Sequence, residues 1–171
     1  MATMAAQTTQ KNKTLLRAEP GSQEIFMTRE FDAPRELVFR AHTEPELYAR
    51  WLGPDRLVTH METFEPVSGG RWRFVQREAD GSEYGFHGNF HEVNAPERII
   101  STFEFEGLPE AGHVSLETSV FEALPGGRTR LHVHAVYLTV EDRDGLIQSG
   151  MEEGVLQGYA RLDTLLAELK R

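Results

Sequence analysis

The spacing of apolar and polar positions changes along the chain. From Leu57 to Leu138 apolar residues alternate with polar ones, which is typical of strands with one buried face. The turn-forming segments SGG, ADGS, NAPE and LPGG divide this region into runs rich in Val, Ile, Phe and Thr. The pattern predicts six antiparallel strands connected as a meander.

The segments before this region predict one strand and two helices. QEIFMTREF has the composition of a strand, and DAPRELVFRAHT follows it with Asp32 as the predicted N-cap of a helix and Pro34 in its first turn. TEPELYARWLGP predicts a second helix, in which Thr43 and Glu46 have the spacing of a capping box. A Gly-Pro pair ends it, after Trp51, which we interpret as a core anchor.

Two further helices are predicted after the strands. Thr139 and Asp142 have the spacing to cap a short helix, and Ser149 with Glu152 forms a predicted capping box for a long one. The long helix is amphipathic, because a helical period gathers one apolar stripe. The stripe consists of Met151, Val155, Gly158, Tyr159, Leu162, Leu165, Leu166 and Leu169.

Glycines at positions 150, 154 and 158 need a reason, since each glycine inside a helix costs about 1 kcal/mol relative to alanine. Gly150 falls in the first turn, where the geometry of the cap, and not the propensity for a helix interior, determines which residue is favoured. For Gly154 and Gly158 two explanations stay open. Either neighbouring backbone or a large aromatic ring packs closely there, or the glycines leave a cavity between helix and sheet.

Strand alternation predicts which side chains face the interior. These are Trp72, Phe74, Tyr84, Phe86, Gly88, Phe90, Ile99, Ser101, Phe103, Phe105, Val114, Leu116, Thr118, Val120, Leu131, Val133, Ala135 and Tyr137. The polar groups among them are all hydroxyls. The opposite faces, which include Glu117, His132 and His134, have the composition of a solvated surface.

A lining of apolar side chains and hydroxyls is suited to orienting a ligand with a few hydrogen bonds. We therefore predict a ligand site but no catalytic residue. The predicted site residues are Trp72, Phe74, Phe86, Phe103, Thr118, Tyr137, Met151, Val155, Gly158 and Tyr159. His132 and His134 share a face, but zinc needs three or four converging ligands, so we expect neither a metal nor a cofactor.

An enzymatic alternative depends on the segment LVTHMETFE, whose pattern leaves the inward face open. His60 and Glu62 share one of its faces, and if that face is inward they are the best acid–base candidates in the chain. Together with Tyr84 and Tyr137 they define the hypothesis of a cyclase- or hydrolase-type enzyme.

Composition sets the class of protein. A chain of 171 residues with 39% hydrophobic and 26% charged residues predicts one globular domain, here residues 23–171, after a flexible tail at residues 1–22. It contains no cysteine, and no apolar stretch approaches the roughly 20 residues of a membrane span. A net charge of −9 disfavours nucleic acid as a partner. We expect a cytoplasmic protein.

Several segments carry a family resemblance that extends from about residue 23 to 169. They are TREFDAPRELVFRAHTEPELYARWLGP, SGGRWRF, DGSEYGFHGNFHEVNAPERIISTFEF, GGRTRLHVHA and SGMEEGVLQGYARLDTLLAEL. The chain resembles the START-like SRPBCC superfamily, and within it the homologues of the activator of the heat-shock protein 90 ATPase. The resemblance implies an α+β helix-grip (Bet v-like) fold: a curved antiparallel sheet wraps a long C-terminal helix, two short helices follow the first strand, and a hydrophobic cavity often lies between.

The resemblance places Gly154 and Gly158 on the cavity side but carries no single function, because this fold serves lipid carriers, cyclases, hormone receptors and chaperone activators. Where relatives often have Gly-Trp, this chain has Gly154-Val155. We expect a single-domain binding protein for an apolar or aromatic small molecule. The alternatives are a co-regulator of a chaperone ATPase in the stress response, acting through its surface, and the enzyme above. A homodimer could form through a sheet edge or the outer helix surface.

Overall fold

The computed structural model describes residues 13–171, which form a curved antiparallel sheet and four helices. The strands lie in the sheet in the order β1-β2-β8-β7-β6-β5-β4-β3. Their bounds are β1 Thr14–Arg17, β2 Glu24–Phe31, β3 Val58–Phe64, β4 Arg71–Arg77, β5 Glu83–Asn94, β6 Arg98–Phe105, β7 Val114–Leu124 and β8 Arg128–Tyr137.

The last six strands form the predicted meander, in which each strand pairs with the next along the chain. The strand β2 pairs with β8 and so extends the sheet beyond the last strand of the meander. This arrangement and the long C-terminal helix confirm the helix-grip fold that the resemblance implies.

The N-terminal segment differs from its sequence prediction. Thr14–Arg17, within the predicted flexible tail, forms β1 and pairs with Phe26–Arg29 of β2. The strand is held because it satisfies the backbone groups of the free edge of β2 and because Leu16 packs against Ile25, Ala135 and Tyr137. The rest of the predicted tail before residue 13 lies outside the described residues.

The helices are α1 Arg35–Thr43, α2 Pro45–Trp51, α3 Val140–Gln148 and α4 Met151–Leu169. The apolar stripe of α4 faces the sheet, and its side chains Leu162, Leu165 and Leu166 are almost fully buried. None of the helices within residues 13–171 is long and apolar enough to cross a membrane.

The predicted caps of α1 and α2 are wrong. The N-cap of α1 is Pro34, without a side-chain hydrogen bond, and the carboxylate of Asp32 instead accepts a hydrogen bond from Arg128. The N-cap of α2 is Glu44, while the Thr43 hydroxyl donates to a carbonyl of α1. Both side chains find partners outside the cap geometry that their spacing suggests.

Of the caps predicted for α3 and α4, the first is confirmed and the second is wrong. Thr139 accepts a hydrogen bond from the backbone N–H of Asp142 at 3.0 Å, which confirms the cap of α3. The capping box of α4 is wrong, because the Ser149 hydroxyl donates back to α3 and Gly150 is the N-cap. Gly150 has φ 88°, a left-handed conformation that glycine adopts without strain.

A buried ion pair fixes α4 on the sheet. Arg29 points inward from β2, is only 3% exposed, and donates to both carboxylate oxygens of Asp163 on α4, at 2.8 and 2.6 Å. Its guanidinium also lies over the ring of Phe31, 4.7 Å from the centroid. This fork sets the angle at which α4 crosses the strands.

Candidate ligand cavity between sheet and helices

The two glycines inside α4 face the loop between α2 and β3. A β-carbon at Gly158 would lie 3.0 Å from the carbonyl oxygen of Trp51, and one at Gly154 would lie 3.4 Å from Cδ of Pro54. The backbone of Trp51 therefore approaches α4 too closely for a larger side chain, which explains the glycine at position 158. The expectation that these glycines face a cavity is wrong.

Polar contacts hold this loop on α4. Arg161 donates to the carbonyl oxygen of Leu52 at 2.9 Å and also to that of Gly53. The amide oxygen of Gln157 accepts from the backbone N–H of Asp55 at 2.8 Å. The indole of Trp51, which is 5% exposed, donates to the carbonyl of Ala41, so its role as a core anchor is confirmed.

The inner face of the sheet carries a wall of stacked aromatic rings. Ring centroids are 5.3 Å apart for Trp72 and Phe74, 5.1 Å for Phe74 and Phe86, and 5.4 Å for Phe86 and Phe103. The structure thus brings together four of the predicted site residues. Tyr137 also points inward and is 8% exposed.

The strand β7 points the other way from its prediction. Ser115 and Phe121 are almost fully buried, whereas Leu116 and Val120 are 46% and 38% exposed. Thr118, a predicted ligand residue, lies on the outer face opposite His134. The inward positions of β7 are therefore Ser115, Glu117, Ser119 and Phe121.

Pairing across the β7–β8 hairpin decides this orientation. Leu124 pairs with Arg128 across the turn, so Glu117 lies opposite Ala135 and Ser115 opposite Tyr137. Because side chains of paired residues share a face, the inward positions of β8 dictate those of β7. Counting back from Ala135 through the LPGG turn is the signal that could have found Glu117.

Glu117 is the functional candidate that sequence reasoning missed. It lies on the inner face between Ser101 of β6 and Ala135 of β8. Within residues 13–171 its carboxyl group makes no hydrogen bond or ion pair, and burial raises its pKa to about 7. A carboxyl group without a partner in an apolar interior is costly unless it binds something or holds a proton.

Three tyrosines share the interior with Glu117. They are Tyr48 on α2, Tyr137 on β8 and Tyr159 on α4, and burial raises the pKa of each phenol. The charge of Glu117 adds to the rise in all three, which indicates that they lie within electrostatic reach of its carboxyl group. The tyrosines therefore stay neutral and provide hydroxyls at neutral pH.

Many inward-facing side chains near Glu117 are only partly buried. A closely packed interior would cover these positions, so their residual exposure supports an accessible space between the sheet and the helices. They include Met27, Tyr48, Phe86, Ser101, Phe103, Ser119 and Val133. Of the predicted site residues on α4, Met151 and Val155 are also partly buried, and Tyr159 is buried against Phe31 and Trp51.

The acid–base pair of the enzymatic alternative lies outside the interior. His60 and Glu62 are exposed on β3, and Glu62 forms an ion pair with Arg73 on the outer face. The inward positions of this strand are Thr59, Met61 and Phe64. Tyr84 is partly buried, 6.5 Å from Phe105 between ring centroids.

The outer histidines are engaged with carboxylates. The imidazole of His132 contacts Glu122 at 2.7 Å, and that of His134 contacts Glu24 at 2.9 Å while stacking on Phe26. No group of three or more His, Asp or Glu side chains in the described part of the chain could hold a metal ion.

A surface depression of about 440 Å³ lies at the ends of β4, β5 and β6, away from the predicted site residues. Gly85 lines it beneath the ion pair of Arg73 with Glu106, which lines it as well. Arg73 holds the pKa of Glu106 below its usual range. The charges of Arg73 and Glu106 at this depression therefore neutralise each other.

Comparison with known proteins places the chain by sequence and by fold. The family model described as Activator of Hsp90 ATPase homolog 1-like protein matches residues 32–167. No protein among the curated sequences matches the chain.

Several solved structures share the fold. A Rhodobacter sphaeroides protein is 29% identical, with a TM-score of 0.81 over 91% of this chain and 99% of that one. An Arthrobacter aurescens protein is 24% identical, with a TM-score of 0.81 over 90% of this chain and 91% of its own. An HSP90 activator from Plasmodium falciparum is 23% identical, with a TM-score of 0.51 over 67% of this chain and 73% of that one.

Proposed function

The chain belongs to the family of Activator of Hsp90 ATPase homolog 1-like proteins, and from this premise we propose that it binds an apolar or aromatic small molecule between the sheet and the helices. The observation that carries the proposal is the incomplete burial of inward side chains around Glu117. The aromatic wall of Trp72, Phe74, Phe86 and Phe103 supplies the apolar surface that such a ligand needs.

Two adjacent positions on β7 allow a matched test. Ser119 faces the interior and Thr118 the outer surface. Ser119→Phe should fill the space, whereas Thr118→Phe adds the same ring outside it. Organic extraction and mass spectrometry of the three purified proteins should find a compound in the wild type and in Thr118→Phe that is missing from Ser119→Phe.

A ligand that is lost during purification would escape extraction, so apolar and aromatic compounds are also screened by thermal shift. Compounds that stabilise the wild type should stabilise Thr118→Phe equally and leave Ser119→Phe unchanged. If Ser119→Phe folds and retains all binding, the ligand lies elsewhere. If neither extraction nor screen finds a ligand for the wild type, the proposal fails.

A second candidate function is the regulation of a chaperone ATPase through the surface of the domain. Its support is the description of the family and the shared fold of the Plasmodium falciparum HSP90 activator. The test is the ATPase rate of a purified Hsp90 with saturating amounts of this protein. Stimulation that persists in Ser119→Phe would assign the effect to the surface, and an unchanged rate would eliminate this candidate.

A further inference from the structure

We infer that Glu117 is the polar anchor of the interior site, and that it selects an apolar or aromatic ligand that carries one basic nitrogen. This inference rests on the proposed binding function and names the class of ligand. It begins from a contrast between the two charged side chains that β7 and β2 direct inward. Arg29 is paired with Asp163 through both terminal nitrogens of its guanidinium, whereas Glu117 has no partner among residues 13–171.

The sign of the charge decides between classes of ligand. An anionic ligand would bring a second negative charge beside Glu117 with no unpaired protein cation described there, and like charges repel strongly in a medium of low dielectric constant. An ammonium group instead forms a charge-assisted hydrogen bond with the carboxylate and removes the cost of leaving it unpaired.

The surroundings of Glu117 suit a cation. The rings of Tyr48 and Phe103 are only partly buried, and Tyr159 shares the same interior. The faces of aromatic rings attract a positive charge that lies within ~6 Å of the ring centroid. The hydroxyls of Ser101 and Ser119 accept further hydrogen bonds from the same ammonium group.

The groups that face Glu117 set the dependence of binding on pH. Its neighbours Ser101 and Ala135 do not titrate, the phenols of Tyr48, Tyr137 and Tyr159 stay neutral, and the two nearby arginines are engaged. Those arginines are Arg29, paired with Asp163, and Arg143 of α3, paired with Asp144. On α1, His42 lies among Tyr48, Trp51 and Phe121 and is neutral, because burial lowers its pKa to about 4.

Glu117 alone in this group therefore changes charge near neutrality. Binding of an amine should strengthen as the pH rises through about 7 and Glu117 ionises. It should weaken again near pH ~10, where a primary amine loses its proton.

The experiment uses three probes with one skeleton: 2-phenylethylamine, 2-phenylethanol and phenylacetate. Each is titrated into the full chain at pH 8 and followed by two-dimensional ¹H–¹⁵N NMR. The amine should bind at least tenfold more tightly than the alcohol, and phenylacetate should bind most weakly. Glu117→Gln should remove the advantage of the amine over the alcohol.

Glu122→Gln is the matched control, because Glu122 lies on the outer face of the same strand. It should behave like the wild type. Equal binding of amine and alcohol that Ser119→Phe abolishes would overturn the anchor and leave the binding site standing. Tighter binding of phenylacetate, or amine binding that strengthens below pH 7, would also overturn it. If none of the probes binds the wild type, the inference fails together with the proposed site for ligands of this size.

Discussion

Gly158 of α4 lies directly against the carbonyl oxygen of Trp51, so close that a β-carbon at position 158 would stand 3.0 Å from that oxygen. The contact joins the C-terminal helix to the end of α2. Gly154, one turn earlier, faces Pro54 with ordinary van der Waals room at 3.4 Å. The two glycines look equivalent in sequence and differ in what they contact.

This difference predicts opposite effects of one substitution. Gly158→Ala should destabilise the fold by about 1–3 kcal/mol, because a new methyl group must displace backbone. Gly154→Ala should be neutral or stabilise by up to about 1 kcal/mol, since alanine favours a helix and space is available. Chemical denaturation of both variants measures the free energies. An unchanged free energy of unfolding for Gly158→Ala would contradict the prediction, because it would mean that the loop between α2 and β3 moves away without loss of stability.

The Arg29–Asp163 pair should contribute more to stability than other ion pairs of α4. Asp163→Asn leaves the buried guanidinium without its counter-charge and should cost about 2 kcal/mol or more, reduced from the full cost of a buried pair because Asp163 is a third exposed. Glu168→Gln removes an exposed pair with Arg50 and should cost less than about 1 kcal/mol. Urea denaturation compares the two, and equal losses would contradict a special role for Arg29.

Glu117 should make the fold less stable as the pH rises. The unfolded chain releases this proton near pH 4.5, whereas the folded protein holds it until about pH 7. The folded state therefore binds more protons within this window, and stability falls through it. The full difference is on the order of 3 kcal/mol, and partial access to water reduces it.

Glu117→Gln cannot ionise and should remove this loss. The variant should be more stable than the wild type at pH 8, with an advantage that shrinks towards pH 4.5. Urea denaturation at pH 5, 6.5 and 8 measures the difference, with Glu122→Gln as the outer-face control. A constant difference at all three values would contradict a raised pKa for Glu117.

His42 should produce the opposite slope at acid pH. Burial lowers its pKa from 6.5 to about 4. Between these pH values the unfolded chain binds a proton at this imidazole and the folded protein does not. Its contribution is present above pH 6.5 and is lost as the pH falls towards 4. His42→Phe keeps a ring beside Trp51 and Phe121 and should flatten the acid side of the stability curve, measured by thermal unfolding. His60→Phe, at an exposed position, provides the comparison; an equal change in both variants would rule His42 out as the cause.

Local periodicity was sufficient for most of the sheet. The alternation in β4, β5, β6 and β8 places their apolar side chains inward, as Phe74, Phe103 and Leu131 demonstrate. It failed in β7, where the apolar side chains of Leu116 and Val120 are exposed. The face of β7 that is buried carries Phe121 besides Ser115, Glu117 and Ser119, so both faces of this strand hold apolar side chains. The pairing with β8 decided which face points inward.

The sequence by itself determined the order of the elements from β2 onwards and the inward aromatic positions of β4, β5 and β6, because these follow from spacing within a segment. The α+β helix-grip class came from the family resemblance of those segments, and the structure confirms it. The tertiary structure decided the partners of Gly158, the strand β1 and, through the pairing of β7 with β8, the inward position of Glu117. Each depends on which segment packs alongside, so the unpaired carboxyl group on which the ligand proposal depends appears only once β6, β7 and β8 lie side by side.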